Sequence, residues 1–226
     1  MKTNKPTMNL LTVASSLALV ALSAAIVGCK SSGYEKGNQV AASIQSAADK
    51  IAAAPGQIDM TLSNLNSLVS QPQSDLRPQF KQFSSDLAEI ESSAKDVASK
   101  RKALASKGKE FMAKWDEQLA QIKSEDIKAR SQARKEDVTK QLMAIKTSYA
   151  ETEIAFRPFL TTLQDIQKYL SVDLTQSGVS AIKGDVEKAN KTAEPLKASL
   201  TKLAGEFKAL GLSMSSSVST NAPAAK

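Results

Sequence analysis

The stretch "LRPQFKQFSSDLAEIESSAKDVASKRKALASKGKEFMAKWDEQLAQI", residues 76–122, decides the fold class. Its apolar residues stand at Leu76, Phe80, Phe83, Leu87, Ile90, Ala94, Val97, Leu104, Phe111, Trp115, Leu119 and Ile122. These steps are sums of three and four, the spacing that lines one face of an α-helix, and they continue for far longer than a strand runs. A stripe this narrow and this long is a packing seam between helices.

The same pattern recurs on either side. Upstream it runs through Val40, Ile44, Ala47, Ile51, Ile58, Leu62, Leu65 and Val69, with Pro55-Gly56 as a kink. "SQPQSD" interrupts it, and Ser74 or Asp75 is placed to cap the next helix. Downstream, after the turn "KSED", a third seam holds Ile127, Val138, Leu142, Ile145, Tyr149, Phe156, Phe159, Leu163, Ile166 and Leu170. Pro158 sits inside that seam and either kinks the helix or breaks it. A fourth, after "SVDLTQSG", runs from Val179 through Ile182, Val186, Leu196 and Phe207 to Leu210. The expectation is an all-α fold, an elongated antiparallel bundle or coiled coil of four helices spanning residues 37–211, with a disordered tail at 212–226.

Folding the seams back on one another sets a register. If the second and third helices turn near Ser124, Phe111 meets Val138 and Trp115 meets Arg134. In this register the first and fourth helices run out near Gly108 and Val138. Residues 109–138 are then expected to protrude as a bare two-helix hairpin roughly 20 Å long. Between residues 100 and 140 twelve Lys or Arg stand against seven Asp or Glu, so this region holds most of the excess cation of a chain whose formal net charge is +7. Arg134, Trp115, Lys128, Arg130 and Lys123 are the candidate binding residues. Arg134 over the Trp115 ring is expected to form a cation–π pair.

The N-terminus fixes where the protein goes. Lys2 and Lys5 precede an uncharged apolar run from Leu10 to Val27, the layout of a secretory signal at 1–28. Ile26-Val27-Gly28-Cys29 resembles the bacterial lipobox, in which the cysteine receives a diacylglycerol and becomes the first mature residue. Cys29 is the only cysteine, so no intrachain disulfide competes for its sulfur. Residues 29–36 are read as a lipidated tether. The partner implied is the membrane, reached through lipid on Cys29.

Composition narrows the chemistry. The chain has no histidine, and its single thiol is assigned to lipid. This argues against histidine general bases, cysteine nucleophiles and the common zinc sets. No glycine-rich phosphate loop is present, no cofactor is implied, and the acids lie beside lysines on polar helix faces. We therefore expect a non-enzyme that binds no nucleic acid, with a protein partner or a second copy engaged through helical seams.

The lipobox, "YEKGN", "FMAKWDEQLAQI" and "FRPFLTTLQDIQKYLSVDL" together resemble an uncharacterised family of bacterial coiled-coil lipoproteins known only as a domain of unknown function. The resemblance implies an exported coiled-coil protein of the bacterial cell envelope, on the outer membrane facing the periplasm in a Gram-negative host. It supplies no catalytic residues. Two functional expectations follow: a structural or interaction module of the envelope, or a module binding a membrane surface or envelope polymer through the basic hairpin.

The lipid assignment makes a direct prediction. Cys29→Ser should abolish incorporation of labelled palmitate and either leave the signal uncleaved or release a soluble product. Membrane association that persists without acyl labelling would rule out the lipobox.

Overall fold

The computed structural model describes residues 33–216, and among these the chain is all-helical with no strand. The expected signal peptide, Cys29 and residues 217–226 of the expected tail lie outside the described residues. Five helices follow in order: α1 Gly33–Ser70, α2 Arg77–Leu119, α3 Glu125–Val172, α4 Gln176–Ala181 and α5 Lys183–Met214.

Local chemistry accounts for the ends. Asp75 accepts the Arg77 backbone N–H at 3.0 Å ahead of α2, although Leu76 holds the N-cap position. Ser124 caps α3 by accepting from the Ile127 backbone N–H, and Glu125 and Asp126 place negative charge at that helix's positive end. Thr175 caps α4 by accepting the Gly178 N–H at 3.0 Å.

The fourth expected helix is two, because Ile182 leaves helical geometry (φ −90°, ψ 5°) and closes α4 while opening α5. Its side chain and that of Val179 stay buried, so the seam continues across the break. Proline does the opposite. Pro55, Pro158 and Pro195 all lie inside continuous helices, so Pro158 does not end α3.

Cross-helix pairs fix which helices are neighbours and in which direction they run. Lys50–Asp96 and Lys107–Ser43 join α1 to α2; Trp115–Ser131 and Gln164–Glu91 join α2 to α3. Ser148–Glu206 joins α3 to α5, and Asn66–Asn190 and Lys197–Asp59 join α5 back to α1. With Glu151–Lys202 added for α3 and α5, numbers in each set rise on one helix as they fall on the other, so each of these pairs is antiparallel.

The expected bare hairpin is corrected by both chain ends. α1 starts at Gly33, inside the span read as tether, and α5 continues past Gly211 to Met214. Gly33 lies against the Gln118 side chain and Gly37 against the Phe111 ring, so α1 covers α2 almost to its last residue. Ser216 N–H donates to Asn38 at 3.0 Å, bringing the end of α5 to the same place. The physical reason is the absence of side chains at Gly33 and Gly37. One helical turn apart on one face, they let α1 approach where the spacing of large apolar residues gives no sign of a seam. Ile127, expected in the third seam, is 55% exposed at the turn.

Burial divides into two clusters. One joins Ile58–Leu68 of α1, Phe83–Ile90 of α2, Phe159–Leu170 of α3 and Val179–Leu196 of α4 and α5. The other joins Val40–Ile51, Val138, Ile145 and Leu203–Leu210, with α2 contributing only partly buried residues such as Val97, Leu104 and Phe111. Asp86, 5% exposed, accepts from Asn64 at 2.6 Å and Gln82 at 2.8 Å, which satisfies its carboxylate between α1 and α2. Both clusters and every seam fall within the compact unit Ser31–Lys226, which therefore carries a complete core of its own.

Two glycines separate close packing from simple helix propensity. A Cβ at Gly178 would overlap the Asp173 backbone carbonyl, which cannot swing aside, whereas a Cβ at Gly205 meets nothing within 4 Å. Urea unfolding should show Gly178→Ala losing about 1–3 kcal/mol. Gly205→Ala should gain about 0.5–1 kcal/mol, because alanine is the better helix former. Equal effects at the two positions would contradict the packing described.

Candidate functional site

The residues singled out from sequence gather at one end of the helices, around the α2–α3 turn. Trp115 is half-buried: its indole N–H donates to Ser131 Oγ at 2.9 Å, and its ring lies 5.3 Å from that of Phe111, tilted by 57°. Arg134 is also half-buried, but its guanidinium donates to the Ser213 backbone carbonyl at 2.6 Å. The expected Arg134–Trp115 cation–π pair is absent among the described residues. The last carbonyls of α5 have no intrahelical N–H to bond. A charge-assisted hydrogen bond at that negative helix end outweighs contact with a ring face. The α2–α3 register survives this correction, since Ser131 lies one turn from Arg134 on the same helix.

Charge at this end is largely paired. Lys36 faces Glu110 at 4.0 Å, Lys114 faces Glu117 at 2.7 Å, and Lys135 bonds Asp116. Lys123, Lys128 and Arg130 remain without an acid partner among the described residues; Lys123 and Arg130 are exposed and Lys128 is half-buried. Glu125 and Asp126 lie among these cations and dilute their field.

A second feature was not singled out from sequence. Between the two core clusters, residues of α1, α2, α3 and α5 line a half-open, mainly apolar cavity of about 460 Å³. Its floor includes Ile51, Ile58, Leu200 and Leu203, with Phe156 and Leu160 along the α3 wall. The α2 wall is built from Ile90, Glu91 and Lys95 together with the short residues Ser93, Ala94, Val97 and Ala98. From Glu91 to Gln118 no residue of α2 is buried. The sequence carries a signal for this gap, a run of serine and alanine in the second seam, but a helical stripe does not reveal how deep a seam packs.

Polar groups close the two ends of the opening. Gln164 donates to Glu91 at 2.5 Å at one end, and Arg101 lies 4.6 Å over the Tyr149 ring at the other. Burial raises the Tyr149 phenol above its ordinary value, against the charge of Arg101, which lowers it. Beside the cavity, Arg157 holds the Glu153 carboxyl below the usual range through its hydrogen bond first and its charge second.

Among the described residues no group of three or more His, Cys, Asp or Glu is placed to hold a metal ion, and no helix is long and apolar enough to cross a membrane. The arrangement offers two surfaces, a turn end that carries Lys123, Lys128 and Arg130 and an apolar cavity.

Comparison with known proteins places the chain in a family without assigning it an activity. No match was found among curated proteins or among solved structures. The profile of one family matches residues 28–208, which takes in all but the last turn and a half of the helical unit. The chain belongs to the family described as Protein of unknown function (DUF2959).

Proposed function

We propose that this protein is an exported, lipid-anchored structural or interaction module of the bacterial envelope. In this reading α1, α2, α3 and α5 close into an antiparallel four-helix bundle held to the membrane through Cys29. One observation carries it: α1 begins at Gly33, beside Gln118 at the α2–α3 turn. Three residues separate Cys29 from that helix, a reach of about 14 Å even when fully extended. A lipid on Cys29 would therefore hold the turn end of the bundle against the bilayer and direct the α1–α2 and α3–α4 loops away from it. The opposite end would then be presented to a partner, a role that needs a stiff body and no catalytic group. Self-association through exposed helix faces is the other form such a module takes.

A narrower membrane-surface reading is favoured by one feature, the three cations without acid partners at the turn. Each of Lys123, Lys128 and Arg130 near anionic lipid would add about 1 kcal/mol, and salt would screen that gain.

Vesicle flotation separates the two readings. The unit Ser31–Lys226, lacking lipid, should stay with the soluble fraction when mixed with neutral phosphatidylcholine vesicles. If it floats with phosphatidylglycerol vesicles at low salt, and Lys123→Gln/Lys128→Gln/Arg130→Gln abolishes this, the surface reading gains. If the lipidated chain in intact cells cross-links only near its turn end, with nothing captured by photoreactive residues in the α1–α2 loop, the interaction-module reading fails.

A further inference from the structure

The prolines explain why a cavity lies where it does. Glu151 faces Lys202, and Asp59 faces Lys197. Carried along the antiparallel register, these pairs set Pro158 opposite Pro195 and put Pro55 within about 10 Å of that height. Each proline withholds the N–H that the carbonyl four residues earlier would receive, which loosens its helix there. The gap between the two buried clusters runs from Ile51 to Ile58 in α1, Ile145 to Phe159 in α3 and Leu196 to Leu203 in α5; Pro55 lies inside it, and Pro158 and Pro195 stand at its edge beside Phe159 and Leu196. On the fourth side, α2 presents small residues. Three proline-bearing helices and a wall of short residues flank this space, with half-buried Leu200 packed against both clusters beneath it.

The shape of that space selects its ligand. Its α3 wall runs from Tyr149 to Gln164, about 22 Å of helix. The α1 and α2 walls, residues 50–58 and 90–98, are shorter, about 12 Å each, so the space of about 460 Å³ is elongated along α3. The volume lies within the range of ordinary ligand sites, and the walls are mainly apolar with polar groups at the rim, as such sites are. Of the rim cations, Lys50 is engaged by Asp96 at 3.7 Å and Arg157 by Glu153. Lys95, exposed on the α2 rim, has no acid partner among the described residues.

We propose that this cavity binds one long acyl chain bearing an anionic head, with the chain lying along the α2–α3 seam over Ile51, Ile58 and Leu203 and the head at Lys95. The inference is independent of lipid on Cys29, because it concerns the unit Ser31–Lys226 alone. A fatty acid and a lysophospholipid share the required chemistry.

Calorimetric titration of Ser31–Lys226 with sodium decanoate, laurate and myristate below their micellar concentrations tests it. Binding should be one to one and tighten about fourfold for each added methylene that enters the cavity. Ala94→Phe and Ala98→Phe, which fill the space, should each weaken laurate by tenfold or more while helical circular dichroism and Tm hold or rise. Should one variant fail to fold, the other and the chain-length series decide. Lys95→Gln should weaken laurate but leave dodecanol unchanged. Lauroyl lysophosphatidylglycerol binding tighter than laurate would identify a phospholipid source, and the reverse order a free acid. Three results would overturn the proposal: no saturable heat with any chain, laurate affinity unmoved by either phenylalanine, or a dimer that the phenylalanine variants dissolve in the absence of any acyl binding.

Discussion

The structure turns on backbone hydrogen bonds withheld at one height. A proline inside a regular helix costs on the order of 3 kcal/mol, and this chain places one in each of three neighbouring helices within about two turns of the same level. The helices still run through, because large apolar side chains lock them on either side. Phe159 and Leu196, each fully buried, immediately follow two of the prolines. Dense packing beside the weak level compensates for what the backbone loses there. Across the level itself the two clusters share half-buried Leu200 and no fully buried apolar residue, so the core divides in two.

The two halves are built differently. Beyond the division, toward the α1–α2 and α3–α4 loops, all the long helices contribute buried residues, and Phe83 and Phe159 belong to one cluster. Toward the α2–α3 turn the buried cluster comes from α1, α3 and α5, and α2 lies over it through half-buried Val97, Leu104, Phe111 and Trp115, with Leu119 buried at its end. There α2 is held partly by polar pairs: Lys50–Asp96, Lys107–Ser43, Lys36–Glu110 and Lys135–Asp116. Exposed pairs of this kind contribute about 0–1 kcal/mol each. The α2 half beyond Ile90 is thus the least firmly seated of the long helices.

Periodicity made the seams legible. Val40, Ile44, Phe83, Leu87, Phe159, Leu163, Leu196 and Phe207 were all assigned inward from spacing or pattern, and all are buried. The heights at which helices end were not legible. Gly33 and Gly37 pack by having no side chain, so a reading that follows large apolar residues passes over them and extends the tether to residue 36, inside the first turn of α1. Arg134 shows a similar limit. Its seam position and its nearness to Trp115 were readable, but its partner is a backbone carbonyl of α5, and no side-chain pattern announces that. The α4–α5 break at Ile182 is equally silent, because its side chain keeps the period while its backbone does not. The cavity lay between these cases. Its small residues and prolines are plain in the sequence, yet only the register between helices brings them to one level.

That level also connects the two surfaces of the molecule. Along α2, the stretch from Ile90 to Leu119 forms the thin wall of the cavity and then runs on to the turn that carries Lys123. A helix seated by shallow apolar contacts and surface ion pairs can shift outward at lower cost than one locked into a core. Movement there would widen the α2–α3 opening without disturbing Phe83, Phe159 or the cluster around them, which stay fixed by burial. Filling the cavity would add apolar contact to Ala94 and Val97 where α2 now has least, drawing the helix down along its whole weakly seated length. Because Trp115 and Asp116 lie on that same length, bonded across to Ser131 and Lys135, occupancy of the cavity and order at the turn end share one mechanical element.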